Sequence, residues 1–342
     1  MNTEPTRDKI HGMFLGIAIG DALFMPVETM KAEEITERHG KITNYLRPDG
    51  HKWFDGREAG TWTDDTQLTL AMAESLIACK EMNMDDIAAR HVASMQREGD
   101  LGFGGSTRDA IQQLAQGIYW SQSGITEKPK RGVGNGIPMK IAPIGAYHAS
   151  PYYRNQKEDG FFFLEKIAQC VFMTHRTQLA LDSASAHIAA IQYCLRTKSN
   201  MFSLWQFIET IRTSIAFEYP FKIGVQNEHT LQERLLMLRA IPLEKMEAKD
   251  FMKLFGGGTS YVYNSLPFSY AFFLKNPQSI ETLYDVGNAG GDTDTNASIV
   301  GGLLGALNGT AIFPPHLCDG LWQKERILNT AERFCDTFGI RA

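Results

Sequence analysis

The sequence predicts an all-α fold in a single compact domain over residues 1–342, with its core between residues 10 and 309. Apolar residues recur at i, i+3, i+4 spacing in about ten or more segments joined by short connections. Strand-like alternation is scarce. No period of roughly 20–50 residues repeats, which argues against a solenoid, and no Pro/Ser-rich linker divides the chain.

Composition narrows the function classes. With 43% hydrophobic and 21% charged residues the chain is ordinary for a globular protein. A formal net charge of −5 leaves no basic footprint for nucleic acid. The five cysteines (Cys79, Cys170, Cys194, Cys318, Cys335) are odd in number and unpaired in sequence. That argues against a disulfide framework or a zinc site, and points to a reducing, cytoplasmic setting. Residues 1–8 are polar and read as no signal peptide. Residues 299–307 read as the longest apolar stretch, far short of the roughly 20 needed to span a membrane.

The first helix is predicted over residues 7–23, with Ile10, Met13, Phe14, Ile17 and Ala18 on one side and Gly12, Gly16 and Gly20 interleaved. Glycine weakens a helix, so its recurrence predicts that another backbone packs very close. At the exit stand two acids: Asp21 reads equally as a cap and as a site residue, Glu28 as a site residue. Residues 31–60 read as an irregular excursion with turn signals at Pro48, Asp49-Gly50 and Asp55-Gly56, of a length that either covers a site or is mobile. Helices follow over 66–82, with Leu68, Leu70, Ala73 and Leu76 on the apolar side, and over 85–96. A glycine-rich loop at 100–108 feeds a helix at 109–117, and free N–H groups at such a helix start suit a phosphate. Residues 131–136 form a second glycine-rich loop, which leads through Met139 and Lys140 into Ala142-Pro143-Ile144; residues 124–130 between the loops are polar and turn-rich. The pattern is helical over 161–196, apart from a break at Thr174-His175-Arg176, then over 202–217 and 230–238, with a short helix within 242–255. Gly256-Gly257-Gly258 marks a turn, and 269–274 and 280–286 lead to a last helix at 295–307, stopped by Gly309 and Pro314-Pro315.

Two carboxylate clusters stand out: Thr63-Asp64-Asp65-Thr66 and Asp292-Thr293-Asp294-Thr295. Each runs into a helical pattern, where Asp and Thr are favoured as caps. One such residue suffices to cap a helix, and adjacent aspartates repel unless a cation sits among them. Carboxylate and hydroxyl oxygens suit Mg²⁺, Mn²⁺ or Ca²⁺. Two capped helices with solvated acids is the plain alternative; both clusters together favour one shared metal site.

Gly20-Asp21-Ala22-Leu23, Pro26-Val27-Glu28, Thr63-Asp64-Asp65-Thr66, Gly134-Asn135-Gly136, Met139-Lys140-Ile141-Ala142-Pro143, Thr174-His175 and Gly290-Gly291-Asp292-Thr293-Asp294-Thr295 occur in that order. Together they resemble the ADP-ribosylglycohydrolase family, which includes the dinitrogenase reductase-activating glycohydrolase and the ADP-ribosyl-acceptor hydrolases. The resemblance implies an all-α domain whose cleft holds two divalent cations, Mg²⁺ or Mn²⁺. Their ligands would be Thr63, Asp64, Asp65, Asp292, Asp294 and Thr295. Glu28 would activate or position water, with Asp100 as the second catalytic candidate. Gly104, Gly105, Ser106, Thr107, Asn135, Gly136, Met139 and His175 would bind the substrate around its diphosphate and distal ribose. Lys140 stands where arginine is often seen, so the charge is kept but a bidentate contact is lost.

The implied activity is metal-dependent removal of ADP-ribose from a modified acceptor, foremost a protein arginine, by hydrolysis at C1″. Other readings stay open. One is a non-catalytic ADP-ribose-binding or immunity protein that contacts an ADP-ribosyltransferase through residues 31–60. Another is a two-metal phosphohydrolase that cuts the diphosphate.

Overall fold

The computed structural model describes residues 3–128, 130–156, 159–215 and 230–341. Two residues of the helix expected over 202–217 (216 and 217), and Pro129 of the turn-rich segment, lie outside the described residues. Among the described residues there are eighteen α-helices and no β-strand, only isolated bridges at Lys31–Gly290 and Gly134–Tyr261. The first half holds α1 (Arg7–Phe24), α2 (Ala32–His39), α3 (Asp64–Cys79), α4 (Met84–Glu98), α5 (Gly105–Ala115), α6 (Trp120–Ser123), α7 (Ala142–Ala149), α8 (Pro151–Gln156) and α9 (Gly160–Phe172). The second holds α10 (Gln178–Arg196), α11 (Leu204–Ile215), α12 (Leu231–Leu236), α13 (Ala248–Leu254), α14 (Val262–Lys275), α15 (Glu281–Asn288), α16 (Thr293–Asn308), α17 (Pro315–Asp319) and α18 (Lys324–Phe338).

The centre is an antiparallel pair, α1 against α16. Gly16 faces Gly301 so closely that a Cβ built on Gly16 would stand 2.0 Å from the Gly301 carbonyl oxygen. Gly20 likewise faces Ala297, and Gly12 faces Gly305. Glycine and alanine every fourth residue line one face of each helix, so the backbones touch along their whole shared length. The ladder fixes the register: it sets Asp21, near the end of α1, beside the start of α16. Helices α3, α10, α14 and α18 close around this pair. By length and hydropathy, residues Arg7–Val27 could cross a membrane, a longer apolar segment than residues 299–307. In the fold, 94% of its most apolar 18-residue stretch is buried, and the segment is the core helix.

Several boundaries differ from expectation for local reasons. Helices α3 and α16 each begin two residues earlier than predicted, so Asp64, Asp65 and Asp294 lie in first turns, where negative charge meets the positive helix end. Helix α2 falls in the segment expected to be irregular. Ile35 is its single buried residue, so no apolar period announces it. Helix α14 extends over 262–275 with Pro267 inside it, a residue that reads as a breaker in sequence. Helix α18 lies beyond the expected stop. It buries Ile327, Ala331, Phe334 and Phe338 in the main core, Phe334 edge-on to Phe14 at 5.9 Å.

Candidate active site

Helix α3 owes its start to a side chain from another helix. Asp21, fully buried, accepts hydrogen bonds from the backbone N–H and hydroxyl of Thr63 and of Thr66, at 2.6–3.0 Å. Thr63 holds the N-cap position, but its hydroxyl points at Asp21 instead of its own helix. Asp21 therefore caps α3 across the fold and holds Asp64 and Asp65 in place. The Asp64 N–H donates to the Leu101 carbonyl at 3.0 Å, which ties the first glycine loop to the same point. Asp65 accepts from the Thr295 hydroxyl through Oδ2 at 3.2 Å. Its Oδ1 is buried and has no hydrogen-bond donor among the described residues.

The second cluster is stitched to Glu28. The Thr29 N–H donates to the Gly291 carbonyl at 2.8 Å, and the Gly291 N–H returns a bond to the Met30 carbonyl at 2.9 Å. Gly291 has φ +90°, and a Cβ there would stand 2.5 Å from the Gly257 carbonyl oxygen. Only glycine tolerates that conformation with that contact. The turn delivers Asp292 to the start of α16 beside Glu28. Asp292 Oδ2 accepts from the Asn135 amide at 2.7 Å.

Two groups of three carboxylates result, sharing Asp294. One oxygen each from Asp21, Asp65 and Asp294 lie within 4.8 Å of one another, as do oxygens from Glu28, Asp292 and Asp294. Asp64 is buried next to them. No lysine or arginine among the described residues forms an ion pair with any of the six. Burial, then mutual repulsion, drives their protonation upward. Asp21 is pushed to about 6, by burial against the bonds from Thr63 and Thr66. Glu28 is pushed to about 8 by burial and the charges of Asp292 and Asp21. Asp64, Asp65 and Asp294 are raised well above the carboxylate range for the same reasons. Burial also raises Asp292, opposed by hydrogen bonds from Asp294, Asn135 and Thr295.

The remaining predicted residues divide. Asp100 is exposed and belongs to neither acidic group. Its Oδ1 accepts from the Gly102 and Phe103 N–H groups, and its Oδ2 pairs with Arg108. It ties a loop together. Met139 packs with Leu68, Phe103 and Ile111 in a small apolar cluster. Asn135 gives its amide hydrogens to Asp292 and Ser265, so in this structure it positions a carboxylate. Ser106 accepts from the Gly132 N–H at 2.8 Å and joins the two glycine loops. Gly104 caps α5 without a side chain, and Gly105 lies against the Arg131 guanidinium. Gly136, Thr107 and His175 meet at one point: a Cβ on Gly136 would be 3.0 Å from both His175 Nε2 and Thr107 Oγ1. Lys140 is buried and donates to the Thr174 hydroxyl at 3.3 Å.

A profile of ADP-ribosylglycohydrolases matches residues 2–341. The chain belongs to the ADP-ribosylglycohydrolase family. It is thus a glycosidic-bond hydrolase. It is 26% identical to an uncharacterised Archaeoglobus fulgidus protein, covering 93% of each chain. It is 25% identical to the ADP-ribosylarginine hydrolase Tri1 of Serratia proteamaculans, covering 97% of this chain and 82% of that one. It is 23% identical to the ADP-ribosylhydrolase ARH3 of Xenopus tropicalis, covering 90% and 89%. A solved structure described as an ADP-ribosylglycohydrolase-related protein complex shares the fold with a TM-score of 0.67 at 21% identity, over 97% of this chain and 98% of that one.

Within this ADP-ribosylglycohydrolase, the sequence reading left Asp21 undecided and missed the layer behind Asp292. Asn296 donates to the Gly258 and Asp292 carbonyls and accepts from Ser265 and Ser269. Serines inside an apolar helix carried no signal; Asn296, directly after the acid cluster, was the one readable hint.

Proposed function

We propose that this ADP-ribosylglycohydrolase removes ADP-ribose from a modified protein arginine by hydrolysing the bond at C1″, with divalent cations, Mg²⁺ or Mn²⁺, at the two acidic groups. The observation that carries this is Asp65 Oδ1, a buried carboxylate oxygen with no donor among the described residues, in a cluster of acids that forms no ion pair with a described lysine or arginine. An unmatched buried anion is costly, and hard oxygen donors at this density fit such cations. Asp64, Asp65 and Asp294 with the Thr63 and Thr295 hydroxyls would hold one, and Glu28, Asp292 and Asp294 the other. Bound cations would offset the carboxylate charge, orient ribose hydroxyls and acidify a water.

The chain's own residues supply the proton handling. No donor among the described residues reaches the Glu28 carboxyl, which sits half-buried at the edge of the second group. Glu28 takes a proton from the water whose oxygen bonds to C1″. As the C1″–N bond breaks through an oxocarbenium-like transition state, the departing guanidine nitrogen gains the proton that Glu28 took up. Asn135 holds Asp292, and the start of α5, whose Gly104 cap has no side chain, offers N–H groups for the diphosphate beside the Arg131 guanidinium, itself paired with Asp109. Arginine as acceptor is supported by the likeness to the hydrolase Tri1. A reducing, cytoplasmic setting is supported by the five free thiols.

The test is release of free ADP-ribose from substrates modified on arginine, on serine and on DNA, each with Mg²⁺, Mn²⁺ or EDTA. Metal-dependent release from the arginine substrate, lost in Asp292→Ala and in Glu28→Gln, is expected. Release of AMP in place of ADP-ribose would make the enzyme a phosphohydrolase, and preferential release from serine or DNA would overturn the acceptor.

A further inference from the structure

His175 and Thr107 are 2% and 1% exposed, yet neither His175 Nε2 nor Thr107 Oγ1 has a hydrogen-bond partner among the described residues. Both atoms face the floor formed by Gly136, each 3.0 Å from where a Cβ would stand. Two unpartnered polar atoms, on side chains that are otherwise almost wholly buried and aimed at one point, make a built contact for a ligand. What each can offer depends on its hydrogen, and for His175 that is decided behind the ring.

Behind the ring, Thr174 Oγ1 is 2.9 Å from His175 Nδ1, and the Lys140 ammonium donates to that same oxygen at 3.3 Å. Lys140 is itself 1% exposed. A hydroxyl has one hydrogen and two acceptor lone pairs. With Lys140 occupying a lone pair, the Thr174 hydrogen has one acceptor in reach among the described residues, Nδ1 of His175. The opposite arrangement, with a hydrogen on Nδ1, would leave the Thr174 hydrogen buried and unsatisfied, at a cost of about 1–3 kcal/mol. The ring is therefore a neutral imidazole with its hydrogen on Nε2. Burial and the nearby Lys140 charge hold His175 at about 3, consistent with a ring that stays neutral.

We propose that Lys140 is a positioning residue: acting through Thr174, it locks His175 in the Nε2–H tautomer and so fixes a hydrogen-bond donor over Gly136, beside Thr107, for an oxygen of the ADP-ribose moiety. The identity of the ligand rests on the function proposed above; the tautomer does not. This gives the buried lysine a role distinct from direct phosphate binding, since its ammonium points into the protein and not at the cleft.

Two measurements test it on the full chain. Nitrogen-15 NMR of histidine-labelled, ligand-free protein, with His175→Gln identifying the resonance, is expected to show Nε2–H in the wild type. In Lys140→Met, which removes a buried charge and retains packing volume, the Nδ1–H form should appear. In parallel, the Kd for ADP-ribose with Mg²⁺ should rise about tenfold in Lys140→Met, the size of one lost hydrogen bond, and recover in Lys140→Arg. His175→Gln, whose amide N–H can stand in for Nε2–H, should bind better than His175→Asn. An Nδ1–H tautomer in the wild type, or a Lys140→Met protein with unchanged tautomer and Kd, would overturn the proposal. If the wild type binds no ADP-ribose, the assigned ligand falls, and the tautomer measurement alone decides the part assigned to Lys140.

Discussion

The side-chain amide of Asn135 donates to Asp292 Oδ2 at 2.7 Å, reaching from the second glycine loop to the head of α16. Its other hydrogen goes to the Ser265 hydroxyl at 3.0 Å, and Ser265 in turn donates to Asn296. The carboxylate is thus aimed by a chain of groups from three segments. Asn135→Ala should lower kcat/KM for ADP-ribose release and the affinity for Mn²⁺ together, each by about 10–100-fold, the usual effect of losing a residue that orients a metal-site carboxylate. Calorimetric titration with Mn²⁺ beside steady-state kinetics checks this. An unchanged Mn²⁺ affinity would remove Asn135 from the positioning role.

The close approach of α1 and α16 predicts a sharp contrast between adjacent glycines. A Cβ on Gly301 would stand 2.1 Å from the Gly16 carbonyl oxygen, backbone that cannot yield without separating the helices. On Gly302 the nearest atom is Ile17 Cγ1, a side chain, at 2.9 Å. Gly301→Ala should cost about 3 kcal/mol or more and Gly302→Ala about 1 kcal/mol. Chemical denaturation of the two variants measures the difference, and equal effects would contradict the packing described.

Metal removal should be visible in stability. A divalent cation at 100 times its Kd stabilises by about 2.7 kcal/mol per site, so Mg²⁺ or Mn²⁺ should raise Tm and EDTA reverse the rise. Asp294 belongs to both acidic groups, and Asp294→Ala should abolish the response. Asp100→Ala should leave it intact, because Asp100 serves its own loop and Arg108. A response lost in Asp100→Ala would restore that residue to the site.

The metal-free protein should grow less stable as pH rises. Burial lifts Asp21 from 3.8 to about 6 and Glu28 from 4.5 to about 8. The folded state then holds these protons more tightly than the unfolded chain does. The stability they contribute is complete below their ordinary values and is lost as pH climbs through about 6 and then about 8. In EDTA, Tm at about pH 5.5 should exceed Tm at about pH 8.5 by several degrees, and saturating Mg²⁺ should flatten the trend. Thermal scans at the two pH values decide it; a metal-free protein most stable at the alkaline end would mean the carboxylates are not buried as described.

Much of the fold could be read directly. The spacing of Gly12, Gly16 and Gly20 announced a backbone contact, and the contact with Gly305, Gly301 and Ala297 is there. The acidic clusters announced helix starts, and α3 and α16 begin within them. Helix α2 and the exact extent of α14 were hidden, the first because it buries one side chain, the second because Pro267 reads as a stop.

What the sequence by itself determined were the short-range quantities: which segments are helical, where the acids and glycines fall, and that two acid-rich clusters open two of the helices. Those follow from propensity, periodicity and like-charge repulsion, which act between near neighbours in the chain. Only the tertiary structure decided which acids face one another. Asp21 and Asp294 are brought into one group by the register of α1 against α16, Glu28 and Asp292 by the paired turn at Thr29 and Gly291. It also gave Asp100 a local loop tie and Met139 a place in an apolar cluster. Contacts across more than two hundred residues depend on packing that no local pattern encodes.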